Sequence, residues 1–74
     1  MAVSRTKEIE IVVNGQPRSA PQGLTLGSLL VFLNVDPARV AVELNRSIVS
    51  RKDWDATSIE AGAALEIVQF VGGG

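Results

Sequence analysis

One stretch of this chain has helical periodicity, and it limits the folds open to the rest. Leu26, Leu29, Leu30 and Leu33 fall at i, i+3, i+4 and i+7 and make one apolar stripe, with Thr25 placed to cap the start and Asn34 to end the helix in a left-handed conformation. Elsewhere the apolar residues alternate. Ile9, Ile11 and Val13 alternate with Glu8, Glu10, Val12 and Asn14, and Val40, Val42 and Leu44 alternate with Ala41, Glu43 and Asn45. Asn14-Gly15 supplies the positive-φ pair of a tight hairpin, and Gln16 to Ala20 returns as a strand that Pro17 restricts to a sheet edge. Pro21-Gln22-Gly23 is a connector. Asp36-Pro37 breaks the chain direction after the helix, and Ser47-Ile48-Val49 forms a short strand after an Asn45-Arg46 turn. Arg51 to Trp54 is a single helical turn, an irregular stretch closes at Gly62, and Ala64 to Val71 is the last strand. Several strands and one helix to cover them give an α+β domain with the helix on one face.

At 74 residues the chain is read as one domain, 1–74, with 1–7 as an N-terminal extension and 72–74 as a tail. Cys and His are both absent, which removes thiolate nucleophiles, imidazole bases, Ser–His pairs, disulfides and the usual zinc and iron–sulfur ligands. The carboxylates are scattered over separate elements, so neither a metal site nor an acid/base pair is expected. Seven Lys or Arg against eight Asp or Glu argue against nucleic acid and anionic membrane as partners. With no apolar stretch of ~18 residues and no leader-like start, the chain reads as cytoplasmic.

Three of the seven glycines are the last three residues, Gly72, Gly73 and Gly74. At ~7 per cent average usage, three terminal glycines occur by chance about one time in 3,000, which favours a function over a frayed end. Lacking Cβ atoms, they can extend through a passage too narrow for other residues and carry the terminal carboxylate about 10 Å outward. Adenylation of that carboxylate would make it an acyl donor to a sulfur nucleophile. The chain has no phosphate-binding Gly-Lys loop and no Cys, so ATP and sulfur must both come from partners.

The order of elements resembles the β-grasp, or ubiquitin-like, fold, in which the first and last strands lie parallel at the centre. Within it the chain resembles the ThiS family of sulfur carriers of thiamine biosynthesis, relatives of the small subunit of molybdopterin synthase. The likeness rests on Val13-Asn14-Gly15, Thr25 to Leu30, Ala41-Val42-Glu43-Leu44-Asn45, Ile48-Val49, Arg51-x-x-Trp54, Leu65-Glu66-Ile67-Val68 and the Gly-Gly end. One departure is Ala63 after Gly62, where such carriers commonly have Asp. The resemblance implies that the chain is no enzyme but a covalent cosubstrate. A ThiF-like activating enzyme, using ATP and magnesium, adenylates Gly74, whose carboxylate becomes a thiocarboxylate with sulfur from a cysteine desulfurase. A ThiG-like thiazole synthase then takes the sulfur. Carriers for molybdopterin or tRNA thiolation, and a ubiquitin-like binding module or conjugated modifier, are the alternatives.

The last strand is apolar on both faces, with Leu65, Ile67 and Val71 one way and Val68 and Phe70 the other. With one helix to cover the sheet, Val12, Glu66, Val68, Phe70 and the adjoining Val71 are expected to form a partner-binding patch beside the tail, to which Glu66 and Arg51 add charge. Trp54 is expected to fill the edge of the core, and the free chain to be a monomer.

Overall fold

The computed structural model describes residues 7–70. Five strands, β1 (Glu8–Val13), β2 (Gln16–Pro21), β3 (Val40–Leu44), β4 (Ser47–Ile48) and β5 (Ala64–Gln69), form one mixed sheet in the order β2-β1-β5-β3-β4. The helix α1 (Leu26–Phe32) packs on one face, and the central pair β1 and β5 runs parallel, as the β-grasp resemblance implies. No helix among the described residues is long and apolar enough to cross a membrane.

Local chemistry explains the connections. Asn14 and Gly15 have φ of 50° and 82°, and Asn45 and Arg46 have 51° and 73°, so both hairpins turn through paired left-handed residues whose twist suits the strands. In β2, Pro17 and Pro21 pair with Val12 and Glu8. The Val12 N–H bonds away from β2, to the Ala63 carbonyl (2.9 Å), so Pro17 falls where an edge strand points outward and needs no N–H. Thr25 and Ser28 form a reciprocal capping box at the start of α1. Helical geometry ends at Phe32, and Asn34 at φ 64° turns the chain out.

The core is the stripe of α1 set against the inward residues of the sheet: Leu26, Leu29 and Leu30 meet Ile11, Val13, Val40, Val42 and Leu65. Leu33 is half-buried at the rim because it lies beyond the last helical residue. Several elements differ from the sequence reading, among them β4, which ends at Ile48 rather than Val49, and β5, which ends at Gln69 rather than Val71. The break at Asp36-Pro37 is itself a 3-10 turn, Pro37–Arg39, capped by the Asp36 carboxylate accepting from the Ala38 N–H at 3.0 Å. The turn at Arg51 extends to Ala56. Pro21, read as connector, is the last residue of β2.

Trp54 fills the core edge as expected, and its indole Nε1–H donates to the Val49 carbonyl at 3.0 Å. The Arg51 guanidinium lies 4.7 Å from the Trp54 ring centroid and donates to the carbonyls of Pro37 and Val40. The Val42 carbonyl faces the β4 side of β3, where it accepts from the Val49 N–H. Two residues earlier, the Val40 carbonyl faces the same way, so Arg51 satisfies a group that β4 is too short to reach. The three-residue spacing of Arg51 and Trp54 thus joins a core plug to an edge cap.

Candidate functional site

The candidate site is built on β5, the central strand between β1 and β3. Its inward residue Leu65 is buried and Ile67 half-buried, whereas Glu66 and Val68 project to the uncovered face of the sheet. Val12 joins them there, because it pairs with Ala64 across the β1–β5 ladder. Val12, Val68 and Phe70 are 36%, 59% and 55% exposed, so no second layer covers this face among the described residues. Four of the five residues expected in the patch, Val12, Glu66, Val68 and Phe70, are therefore at the surface along β5, from Val12 beside its first residue to Phe70 just past its last. Val71, Gly72, Gly73 and Gly74 lie outside the described residues.

The antiparallel β3–β5 register adds residues that sequence reasoning missed. Ala41 pairs with Val68 and Glu43 with Glu66, and the β3–β4 hairpin sets Ile48, 77% exposed, beside Glu43. Together they line a shallow groove of about 230 Å³ on the open face. The alternation of β3 already assigns Ala41 and Glu43 to the face opposite Val40, and the Asn45-Arg46 turn fixes the partner of Glu43. Only the identity of the neighbouring strand was needed to extend the patch.

The electrostatics of the face are one-sided. The strand-borne glutamates Glu8, Glu10, Glu43 and Glu66 all alternate onto it, and Arg18, the only cation carried by a described strand, pairs with Ile11 and so belongs to the helix side. Arg51 does not contribute here. Its guanidinium is committed to Trp54 and the Pro37 and Val40 carbonyls, in a cleft shared with Gly27, Val31 and Asp55 of the opposite side, which corrects the expectation that it charges the patch. That cleft, about 600 Å³, is the larger concavity, but Ser28 and Asp36 within it are occupied in caps and Arg51 with carbonyls. It therefore offers few free polar groups to orient a ligand. No grouping of three or more His, Cys, Asp or Glu among the described residues could hold a metal ion.

Glu43 and Glu66 face each other directly across two strands, an arrangement that costs stability. Glu66→Gln is expected to stabilise the fold by about 0.2–1 kcal/mol at low salt. The gain should shrink in molar salt, where the screening length falls to ~3 Å. Urea unfolding at two ionic strengths measures this, and a variant no more stable than the parent would show that the pair does not repel.

Comparison with known proteins places this geometry. The ThiS family model matches residues 8–74. The crystal structure of a thiamine biosynthesis protein (ThiS) from Geobacter metallireducens superposes with a TM-score of 0.77 at 36% identity, covering 89% of this chain and 100% of that one. Among curated relatives, a thiazole synthase of Magnetococcus marinus is 41% identical over 66 residues, which are 89% of this chain and 20% of that protein. The chain thus spans about a fifth of the length of that relative. The uncharacterized protein ycf40 of Porphyra purpurea is 34% identical over 68 residues, covering 92% of this chain and 96% of that one. With the family pattern running from the first residue of β1 to the terminal glycine, and a solved member sharing the fold along its whole length, the chain belongs to the ThiS family.

Proposed function

We propose that this chain is a sulfur carrier whose reactive group is the carboxylate of Gly74, and that it serves thiazole formation in thiamine biosynthesis. The observation that carries the reading is the family match, which extends through the terminal glycines rather than stopping at the folded body. In the proposed cycle a carboxylate oxygen of Gly74 attacks the α-phosphorus of ATP on a ThiF-like activating enzyme, and pyrophosphate leaves. The outer sulfur of a persulfide formed by a cysteine desulfurase then attacks the acyl carbon and AMP departs, leaving an acyl disulfide. A second thiol, on a partner or a small reductant, attacks the partner-side sulfur of that disulfide, which frees the thiocarboxylate and leaves a disulfide behind. A ThiG-like thiazole synthase takes the sulfur from the thiocarboxylate. ATP and magnesium are held by the partner, and the carrier itself catalyses no step.

The open sheet face supports a docking role in this cycle. Val12, Val68 and Phe70 offer apolar area, with Glu66 and Glu43 between them, so the complementary surface is apolar with Lys or Arg set to meet the glutamates. Gly72 and Gly73 are proposed to thread the partner's active site because they lack Cβ atoms.

The reading is tested by incubating the full chain with its activating enzyme, ATP, magnesium, cysteine, a desulfurase and a thiol reductant, followed by intact-mass analysis. The expected product carries sulfur in place of one oxygen, localised to Gly74 by fragmentation. An unchanged terminus with no AMP released would overturn it.

A further inference from the structure

The parallel pairing of β1 with β5 ends early. β1 stops at Val13, where the chain turns into the hairpin, yet β5 continues to Gln69. Beyond Leu65 its β1-side edge would be open. The side chain of Asn14 fills that place: its Oδ1 accepts from the Ile67 N–H at 2.7 Å, and its Nδ2 donates to the Ile67 carbonyl at 3.2 Å. This is the donor and acceptor pair that a further strand residue would present. The left-handed backbone of Asn14, φ 50°, both makes the turn and aims the amide, while its own N–H donates to the Leu65 carbonyl at 2.8 Å. On the other flank β3 holds β5 through Val40 opposite Gln69, and the Phe70 N–H donates to the Arg39 carbonyl at 2.8 Å.

We propose that Asn14 is a positioning residue for the reactive terminus: its side-chain amide clamps β5 at Ile67 from the β1 side, so that the chain beyond it leaves the domain from a strand fixed on both flanks. The proposal rests on the sulfur-carrier reading of Gly74. The geometric consequence is where two-sided anchoring ends. Gly74 lies four positions past Phe70, which β3 holds on one flank, and seven past Ile67, the last residue held on both, about 13 and 23 Å of chain at ~3.3 Å per residue. Loss of the amide leaves the segment from Ile67 onward anchored by β3 alone. The carboxylate then searches a larger volume before reaching attack geometry, which lowers the rate of reaction in the docked complex. The apolar docking residues stay in place, so affinity should change little.

A built-in control exists at the other end of the same strand. Asn45 also occupies a left-handed turn position, φ 51°, and its Oδ1 accepts from the Ala64 N–H at 3.0 Å. Asn14→Gly and Asn45→Gly each keep the turn accessible while removing an amide that pins β5, one near the tail and one far from it. In pyrophosphate release by the activating enzyme, Asn14→Gly is expected to lower kcat about tenfold with KM within about twofold, and Asn45→Gly to leave both within about twofold. Hydrogen exchange of the free chain gives a readout that needs no partner: the Ile67 amide should exchange at least about tenfold faster in Asn14→Gly and at the parent rate in Asn45→Gly. A kcat unchanged in Asn14→Gly, equal losses in both variants, or a loss confined to KM overturns the positioning role. An Ile67 amide still protected in Asn14→Gly overturns the clamp itself. A parent chain that is never adenylated would instead remove the sulfur-carrier reading, and the exchange result would still decide the clamp.

Discussion

Removal of Gly74 alone is expected to reduce ATP-dependent modification of the terminus by at least about a hundredfold and to leave the unfolding midpoint unchanged. In the proposed cycle reactivity and stability have separate origins. In the shortened chain Gly73 carries the carboxylate, and at ~3.3 Å per residue that group falls one residue short of the attack position. Misplacement by about 1 Å can already cost a hundredfold, so the two glycines that remain do not make good the shortfall. Stability, in contrast, resides in the body. The described core runs from Ile11 to Leu65, and the last described backbone hydrogen bond is that of Phe70 to Arg39. Deleting Gly74 disturbs neither. Adding one Ala after Gly74 moves the carboxylate the other way and should be equally inactive. Pyrophosphate release and thermal unfolding of both variants check the expectation. Modification at the parental rate would place the reactive group elsewhere in the chain.

Much of this domain is readable from local sequence because its turns use residues with strong conformational demands. Asn14-Gly15 and Asn45-Arg46 both adopt the left-handed pair a tight hairpin requires, and Leu26, Leu29 and Leu30 are the buried stripe their spacing implies. The order of strands is a different matter. Alternation states which residues share a face but not which strand lies beside which, so the parallel pairing of β1 with β5 followed from the family resemblance. The same gap hid the Glu43–Glu66 opposition and the contribution of Ile48 to the groove, both of which need the β3–β5 register. Asn14 was legible as a turn residue and not as a clamp, since its partner Ile67 is 53 positions away. Arg51 belongs to the other side of the domain for a reason no local pattern shows. Its guanidinium stacks on Trp54 and caps carbonyls of Pro37 and Val40, which come from a separate part of the chain, and so it does not face Glu66. The candidate site itself divides along the same line: its β5 members were found from alternation, its β3 and β4 members only from the sheet.

Val68→Asp is expected to raise KM for the activating enzyme about thirtyfold or more while changing kcat little, the opposite signature to that of Asn14→Gly. Val68 is 59% exposed, pairs with Ala41 and lines the open-face groove, so the substitution opens no cavity and buries no charge in the free domain. The fold should lose no more than about 1 kcal/mol, from strand propensity and proximity to Glu66. Docking is affected more. Covering the exposed part of Val68, 59% of the residue, contributes about 1 kcal/mol, and an aspartate in that position forfeits this burial and also requires desolvation of a carboxylate, at a cost of about 1 kcal/mol or more. A net loss of about 2 kcal/mol corresponds to roughly thirtyfold in affinity. An opposing effect comes from charge, since a partner surface rich in Lys or Arg would attract one more carboxylate. At exposed positions such a contact is worth about 0.2–1 kcal/mol, too little to offset the lost burial and the desolvation together. Val68→Lys separates the two contributions: it loses the same apolar contact and adds repulsion, so its KM should rise at least as far. Val31→Asp on the outer face of α1, where Val31 is 68% exposed, supplies the control and should leave KM unchanged. If Val68→Asp and Val31→Asp behave alike, the partner does not dock on the open face, and the glycine tail alone must account for recognition.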